Sequence, residues 1–307
     1  MTGAVVGAAP GVQAHLSLRH FLLALAVVAV WGTNFVVIRW GLNQFPPFLF
    51  SALRFTFALV PALFFFPFPR VAWRTMALYG VFIGVGQFGL LYLAINGHIA
   101  PGLASLVVQT QVFFTIGLSM RISGERVQPF QWLALLMASA GIATIASHTD
   151  GSTTPLGLGL VLLAALSWAL GNMAAKRSSP SNMLAYVVWS SAFALPPLFL
   201  ISFLFEGWPA MSGALLHADG GAWAAVLWQS WGNTLFGYAA WGWLLARHPA
   251  ATITPMALMV PVFGMSASAF WLGEPLPAWK LAAAALVMGG LGVNLLWPKL
   301  RQRWRGR

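Results

Sequence analysis

The sequence predicts an all-α integral membrane protein of ten transmembrane helices, arranged as two inverted five-helix repeats. Three observations carry this. The chain is 59% hydrophobic and only 7% charged over 307 residues, whereas a soluble domain needs about 25% charged residues to solvate its surface. Pro, Gly and charge punctuate it into long apolar runs, each of the length that crosses a bilayer. Finally, sequence features of its first half recur in the second at matching places.

The runs place spans at 21–39, 48–66, 74–95, 101–120, 129–147, 156–175, 184–205, 222–245, 252–272 and 278–297. Pro101, Pro129 and Pro277 stand at helix starts, where the missing N–H is harmless. The first run follows Arg19 and lacks a clear cleavage site, so it is read as an uncleaved helix rather than a signal peptide.

The basic residues fix an orientation. With the N-terminus inside, Arg19, Arg70, Arg74, Arg121, Arg126, Lys176, Arg177, Arg247 and the five basic residues of 299–307 face inward, leaving Arg39, Arg54 and Lys280 outward. That is a strong positive-inside bias, and an even span count puts both termini in the cytoplasm. The net charge of +11 therefore reports topology. It forms no face for nucleic acid. The chain has no cysteine, which removes disulfides and thiolate metal sites; no metal or other cofactor is expected.

The repeat is visible in two places. Gly124-Glu125 with Pro129 and Trp132 resembles Gly273-Glu274 with Pro277 and Trp279. Trp31-Gly-Thr-Asn34 up to Arg39 resembles Trp168 through Asn172 to Lys176. Five spans per half is odd, so the second half enters the bilayer upside down. An inverted repeat suits alternating access about one site at the midplane, which points to a secondary transporter of small molecules. The expected organisation is a cytoplasmic segment 1–20, repeats over 21–147 and 156–297, and a basic cytoplasmic tail 298–307.

Trp31-Gly-Thr-Asn-Phe-Val-Val-Ile-Arg39, Leu53-Arg54-Phe55, Pro101-Gly-Leu-Ala-Ser-Leu106, Gln109-Thr-Gln-Val-Phe-Phe-Thr115 and the two Gly-Glu pairs resemble the drug/metabolite transporter superfamily, EamA family, over roughly residues 21–297. Ile95-Asn96 and Gly237-Tyr238 leading to Trp241-Gly242 draw the resemblance toward bacterial exporters of O-acetylserine and cysteine. It implies export of amino acids or their derivatives across an inner membrane. A membrane-embedded enzyme and a broad drug or metabolite efflux protein are the alternatives. The enzyme would need clustered acids, histidines or metal ligands, and the five carboxylates and six histidines are scattered.

Polar side chains at membrane depth are costly, so they face protein or a water-filled cavity. Asn34 and Asn172, counterparts across the repeat, either line a pathway or tie helices together. Gln87, Gln109 and Gln111 are amides that suit a zwitterion, because they donate and accept without net charge. Gln109 and Gln111 are about 200° apart on a regular helix, so one is expected at the cavity and the other between helices. Arg54 either presents its fork to a substrate carboxylate or snorkels outward. Trp168, Trp189 and Trp231 lie near mid-depth as an apolar wall or as packing, and Tyr238, in the Gly237-Tyr238 motif, joins the substrate-binding set. Pro255 and Pro261 make the ninth span a candidate cavity wall. The Gly-Glu pairs read as caps at helix starts. No Asp or Glu falls at hydrocarbon depth, so downhill export or exchange is expected. Whether the protein is a monomer or homodimer stays open.

Overall fold

The computed structural model describes residues 16–123, 128–148, 153–178 and 180–305. Residues 1–15, the Gly124-Glu125 pair, Arg126, Asp150 and the last two residues lie outside it, as do the side chains of the basic tail from 298.

Helical segments join end to end into long rods, labelled here α1 (Leu18–Gly41), α2 (Pro47–Ala62), α3 (Trp73–Ile95), α4 (101–123), α5 (Pro129–Ser147), α6 (Pro155–Ser178), α7 (Met183–Glu206), α8 (220–247), α9 (250–272) and α10 (Ala278–Arg305). A short helix, Trp208–His217, links α7 to α8. Among the described residues, 8 helices are long and apolar enough to cross a membrane, and α2 is a shorter apolar helix of 16 residues. The protein is therefore a multi-pass membrane protein. The rod α8 is interrupted in character by Gln229, Ser230, Asn233 and Thr234, all buried at its centre.

The sequence boundaries hold closely except at two ends. Span two was expected to reach 66, but α2 stops at Ala62. Pro67 and Pro69 follow, and a residue before proline is pushed out of the α region, so Phe64 to Phe66 form turns instead. Helix α10 continues to Arg305, past the expected 297.

Departures from regular α geometry fall in five rods, one of them the π-helical end of α7 at Ser202–Glu206. Phe82–Gly89 in α3 and Trp228–Phe236 in α8 widen to π-helix. Val108–Thr110 in α4 and Thr254–Leu258 in α9 tighten to 3₁₀. In α9 the cause is local, since Pro255 sits at the start of the tightened turn and cannot donate an N–H. Such interruptions recur at functional sites.

Packing runs between the halves. The rod α5 lies along α10, α2 along α7, α1 against α9, α4 against both α6 and α9, and α3 against α6 and α7. Gly80 and Gly84 let α3 approach α7 closely, because a methyl at Gly80 would strike the Ser190 carbonyl and one at Gly84 would strike Ala194. This small-xxx-small pair serves contacts inside the bundle.

Candidate functional site

A cavity of about 370 Å³ lies among α1, α3, α4, α6, α8, α9 and α10, with Met183 at the start of α7. That size suits a small molecule. Its polar wall comes from Asn34, Gln87, Gln109, Gln111, Asn172 and Asn233, with the hydroxyls of Tyr79, Tyr238 and Thr254. Trp31, Phe88, Trp168 and Trp241 supply aromatic surface. Trp31 sits 5.2 Å from Trp241 and 5.9 Å from Tyr238, centroid to centroid.

The irregular turns place these groups. Gln87 and Asn233 lie within the π-helical stretches of α3 and α8, while Gln109 lies inside the 3₁₀ turn of α4 and Gln111 directly follows it. Trp31 donates its indole N–H to the Asn233 carbonyl at 3.2 Å, tying α1 to the widened turn of α8. Gly237 lies against that indole, where any Cβ would collide with Nε1.

Of the residues expected at a substrate site, Asn34, Gln87, Gln109, Gln111, Trp168, Asn172 and Tyr238 border the cavity. The expected separation of Gln109 from Gln111 needs correction. Both reach the cavity, because the 3₁₀ turn that holds Gln109 and ends at Thr110 changes the helical phase before Gln111. Gln111 also ties helices, accepting from Asn172 Nδ2 at 3.2 Å.

Three expected residues stand elsewhere. Trp189 donates to the Phe66 carbonyl at 3.0 Å and packs edge-on against Phe68, outside the cavity. Trp231 is half exposed on the outer surface of the bundle and donates to the Phe57 carbonyl at 3.1 Å. It borders a separate apolar groove with Pro61, Leu184 and Leu235. Arg54 does not snorkel and does not border the cavity. It is 1% exposed, behind the wall. Its guanidinium stacks on Phe88 at 3.5 Å from the ring centroid. Nη2 donates to Thr234 Oγ1 at 2.9 Å and to Asn233 Oδ1 at 3.5 Å, while Nη1 donates to the Tyr92 hydroxyl and Gln229 Oε1, each at 3.2 Å.

Asn233, Tyr79, Trp31 and Trp241 complete the wall although sequence reasoning did not select them as site residues. A signal existed for Asn233, since Gln229 and Asn233 are four apart and share a helix face.

The capping expectation is corrected in detail. Glu274 does not cap the helix that follows it. One oxygen accepts from Gly102 N at the start of α4 and the other pairs with Lys280 Nζ, each at 3.0 Å. Glu206 likewise caps α2, accepting from Phe48 N at 2.7 Å and Leu49 N at 3.1 Å. Among the described residues no group of three or more His, Cys, Asp or Glu is placed to hold a metal ion.

Comparison with known proteins agrees with this architecture. The EamA-like transporter family model matches twice, over residues 18–147 and 155–296. A Salmonella typhimurium protein named a probable amino-acid metabolite efflux pump is 38% identical over 94% of this chain and 99% of its own length. Its Escherichia coli K12 namesake is 36% identical over 94% and 98%. A Streptantibioticus cattleyicolor protein named a probable terminal-alkyne amino-acid exporter is 28% identical over 90% and 93%. One crystal structure shares the fold, with a TM-score of 0.62 and 20% identity over 91% of this chain and 97% of its own. With both halves matching the family model and relatives this similar over nearly the whole chain, the protein belongs to the EamA-like transporter family.

Proposed function

We propose that this transporter exports amino acids or their small derivatives, cysteine and O-acetylserine among them, across a cell inner membrane by alternating access. The observation that carries the reading is the cavity itself. It is enclosed by rods from both halves of the chain and lined by amides and aromatic rings. Such a wall suits a small zwitterion with an apolar or polar side chain. The names carried by the Salmonella and E. coli relatives support the substrate class, and a further E. coli relative, 25% identical and named as an inner membrane transporter, supports the location.

The mechanism follows from ten spans in two inverted repeats with both ends cytoplasmic. The double match to one family model supports two repeats. So do four of the five irregular turns, π in α3 and α8 and 3₁₀ in α4 and α9, which pair third with eighth and fourth with ninth, while the π turn ending α7 has no partner in α2. Packing behaves the same way: α1 against α9 has its counterpart in α6 against α4, and α3 against α6 in α8 against α1. Two similar five-helix units can exchange arrangements at little energetic cost, opening the cavity first to one side and then to the other. With no carboxylate at hydrocarbon depth in the sequence, transport is downhill or by exchange.

The test is efflux from cells overproducing the protein, loaded in turn with cysteine, O-acetylserine and aromatic amino acids. Faster efflux of at least one is expected, and in proteoliposomes a pH gradient alone is expected to drive none of them uphill. Unchanged efflux of the whole panel would refute the substrate class.

A further inference from the structure

We propose that Arg54 acts through Asn233 to make one end of the cavity a carboxylate site, opposed by an ammonium site at Asn34 and Gln87. The proposal rests on the export reading above and adds which groups grip the substrate.

Arg54 is a buried cation whose hydrogen-bond partners, Thr234, Tyr92, Gln229 and Asn233, are all neutral. Taking a guanidinium out of water without a counter-charge is expensive. A helix staple would not need the charge, since an amide could hold the same hydroxyls. The surplus extends beyond Arg54 itself. Gln229 turns Oε1 to Arg54 and Tyr92, leaving its Nε2 a fully buried donor without a partner. This corner of the bundle is thus electropositive, and Phe88 and Asn233, which both touch Arg54, also border the cavity.

Asn233 conveys the charge. Its Oδ1 is held by Arg54, so the donor half of the amide is the part left for the cavity. A carboxylate there accepts from Nδ2 and lies in the field of a guanidinium one side chain away, in a medium that screens poorly. The opposite need is met nearby. Asn34 Oδ1 and Gln87 Oε1 are buried acceptors with no hydrogen-bond partner, and both residues border the cavity. Asn34 stands one helical turn from Trp31, which bonds Asn233. Donor and acceptors thus border one cavity, which an α-amino acid would enter with its carboxylate at Asn233 and its ammonium at the two carbonyls. Arg54 is a positioning residue here and touches no substrate.

The consequence is a requirement for a free carboxylate. In proteoliposomes of the full chain, uptake of L-cysteine and L-phenylalanine is compared with uptake of L-cysteinamide and L-phenylalaninamide, as the ratio of apparent KM for amide and acid. The wild type is expected to favour the acids by about tenfold or more, as sites built to bond a substrate group reject analogues lacking it. Asn233→Asp supplies Arg54 with the missing counter-charge. It should hold or raise Tm while bringing the ratio to near unity, and Arg54→Gln, which keeps a donor for Thr234 but no charge, should lower the ratio with Asn233 in place. Acids and amides carried alike by the wild type, an acid preference retained in Asn233→Asp, or unfolding of that variant would each overturn the proposal. If neither form of either amino acid moves, the export reading falls as well; movement without discrimination removes the carboxylate site alone.

Discussion

The indole of Trp31 on α1 bonds the backbone carbonyl of Asn233 on α8, in the stretch where α8 widens to a π-helix. A π turn leaves carbonyls out of the ordinary i→i−4 ladder, and this one is satisfied from the opposite half of the chain. Trp31→Phe keeps an aromatic ring and removes the donor. The expected cost is about 1 kcal/mol of stability, with a several-fold loss of transport because Asn233 is no longer held. Thermal unfolding in detergent and counterflow in proteoliposomes measure both.

Glu274 and Lys280 form an ion pair with only 8% and 2% of their side chains exposed, and the same carboxylate caps α4 at Gly102. Removing one member leaves the other charged and buried. Lys280→Met should destabilise by about 3 kcal/mol, and the double variant Glu274→Gln with Lys280→Met should recover much of that loss. Unfolding midpoints of the three proteins check this, and a double variant no better than the single would contradict it.

Close approach of α3 and α7 depends on Gly80 and Gly84. Gly80→Ala forces a methyl against the Ser190 carbonyl and should cost about 1–3 kcal/mol through overpacking. If the pair instead served contacts between copies of the chain, the same change would alter oligomeric state in detergent and leave the unfolding midpoint alone.

Between the short helix and α8, Asp219 accepts from Gln44 Nε2 at 2.6 Å and from Ala222 N at 2.8 Å. The backbone N–H of Ala222, and then Gln44, hold its carboxyl below the ordinary value of 3.8. A depressed acid contributes its stability above the unfolded pKa and loses it as pH falls through the folded one. Protease resistance of the 207–219 connection should therefore be flat from neutral pH down to about the ordinary Asp range and decline only below it. Asp219→Asn should remove that acid-side decline.

Much of this was legible in the chain. Amides inside apolar runs are costly enough to need a reason, and Asn34, Gln87, Gln109, Gln111 and Asn172 all border one cavity. Depth could be read from position along a span; azimuth could not. Trp231 lies inside a π stretch, where an extra residue per turn shifts every side chain after it, and it points outward. Trp189 could not be separated from a cavity residue by depth alone, since its indole is engaged by the Phe66 carbonyl after α2 ends. The Gly102 cap was equally hidden, because a Gly-Glu motif does not say which helix start lies across from it.

The central claim is that the cavity between the halves holds the transported molecule. The chain has no cysteine, so a single introduced thiol can be labelled without background. Ala257→Cys puts a thiol in the cavity wall on α9, and Leu216→Cys puts one on the exposed face of the short helix between α7 and α8. In membranes treated with a maleimide, the amino acid that gives the fastest efflux should slow labelling of Ala257→Cys severalfold and leave Leu216→Cys unchanged. Equal labelling of Ala257→Cys with and without that amino acid, in a variant that still transports it, would contradict the account.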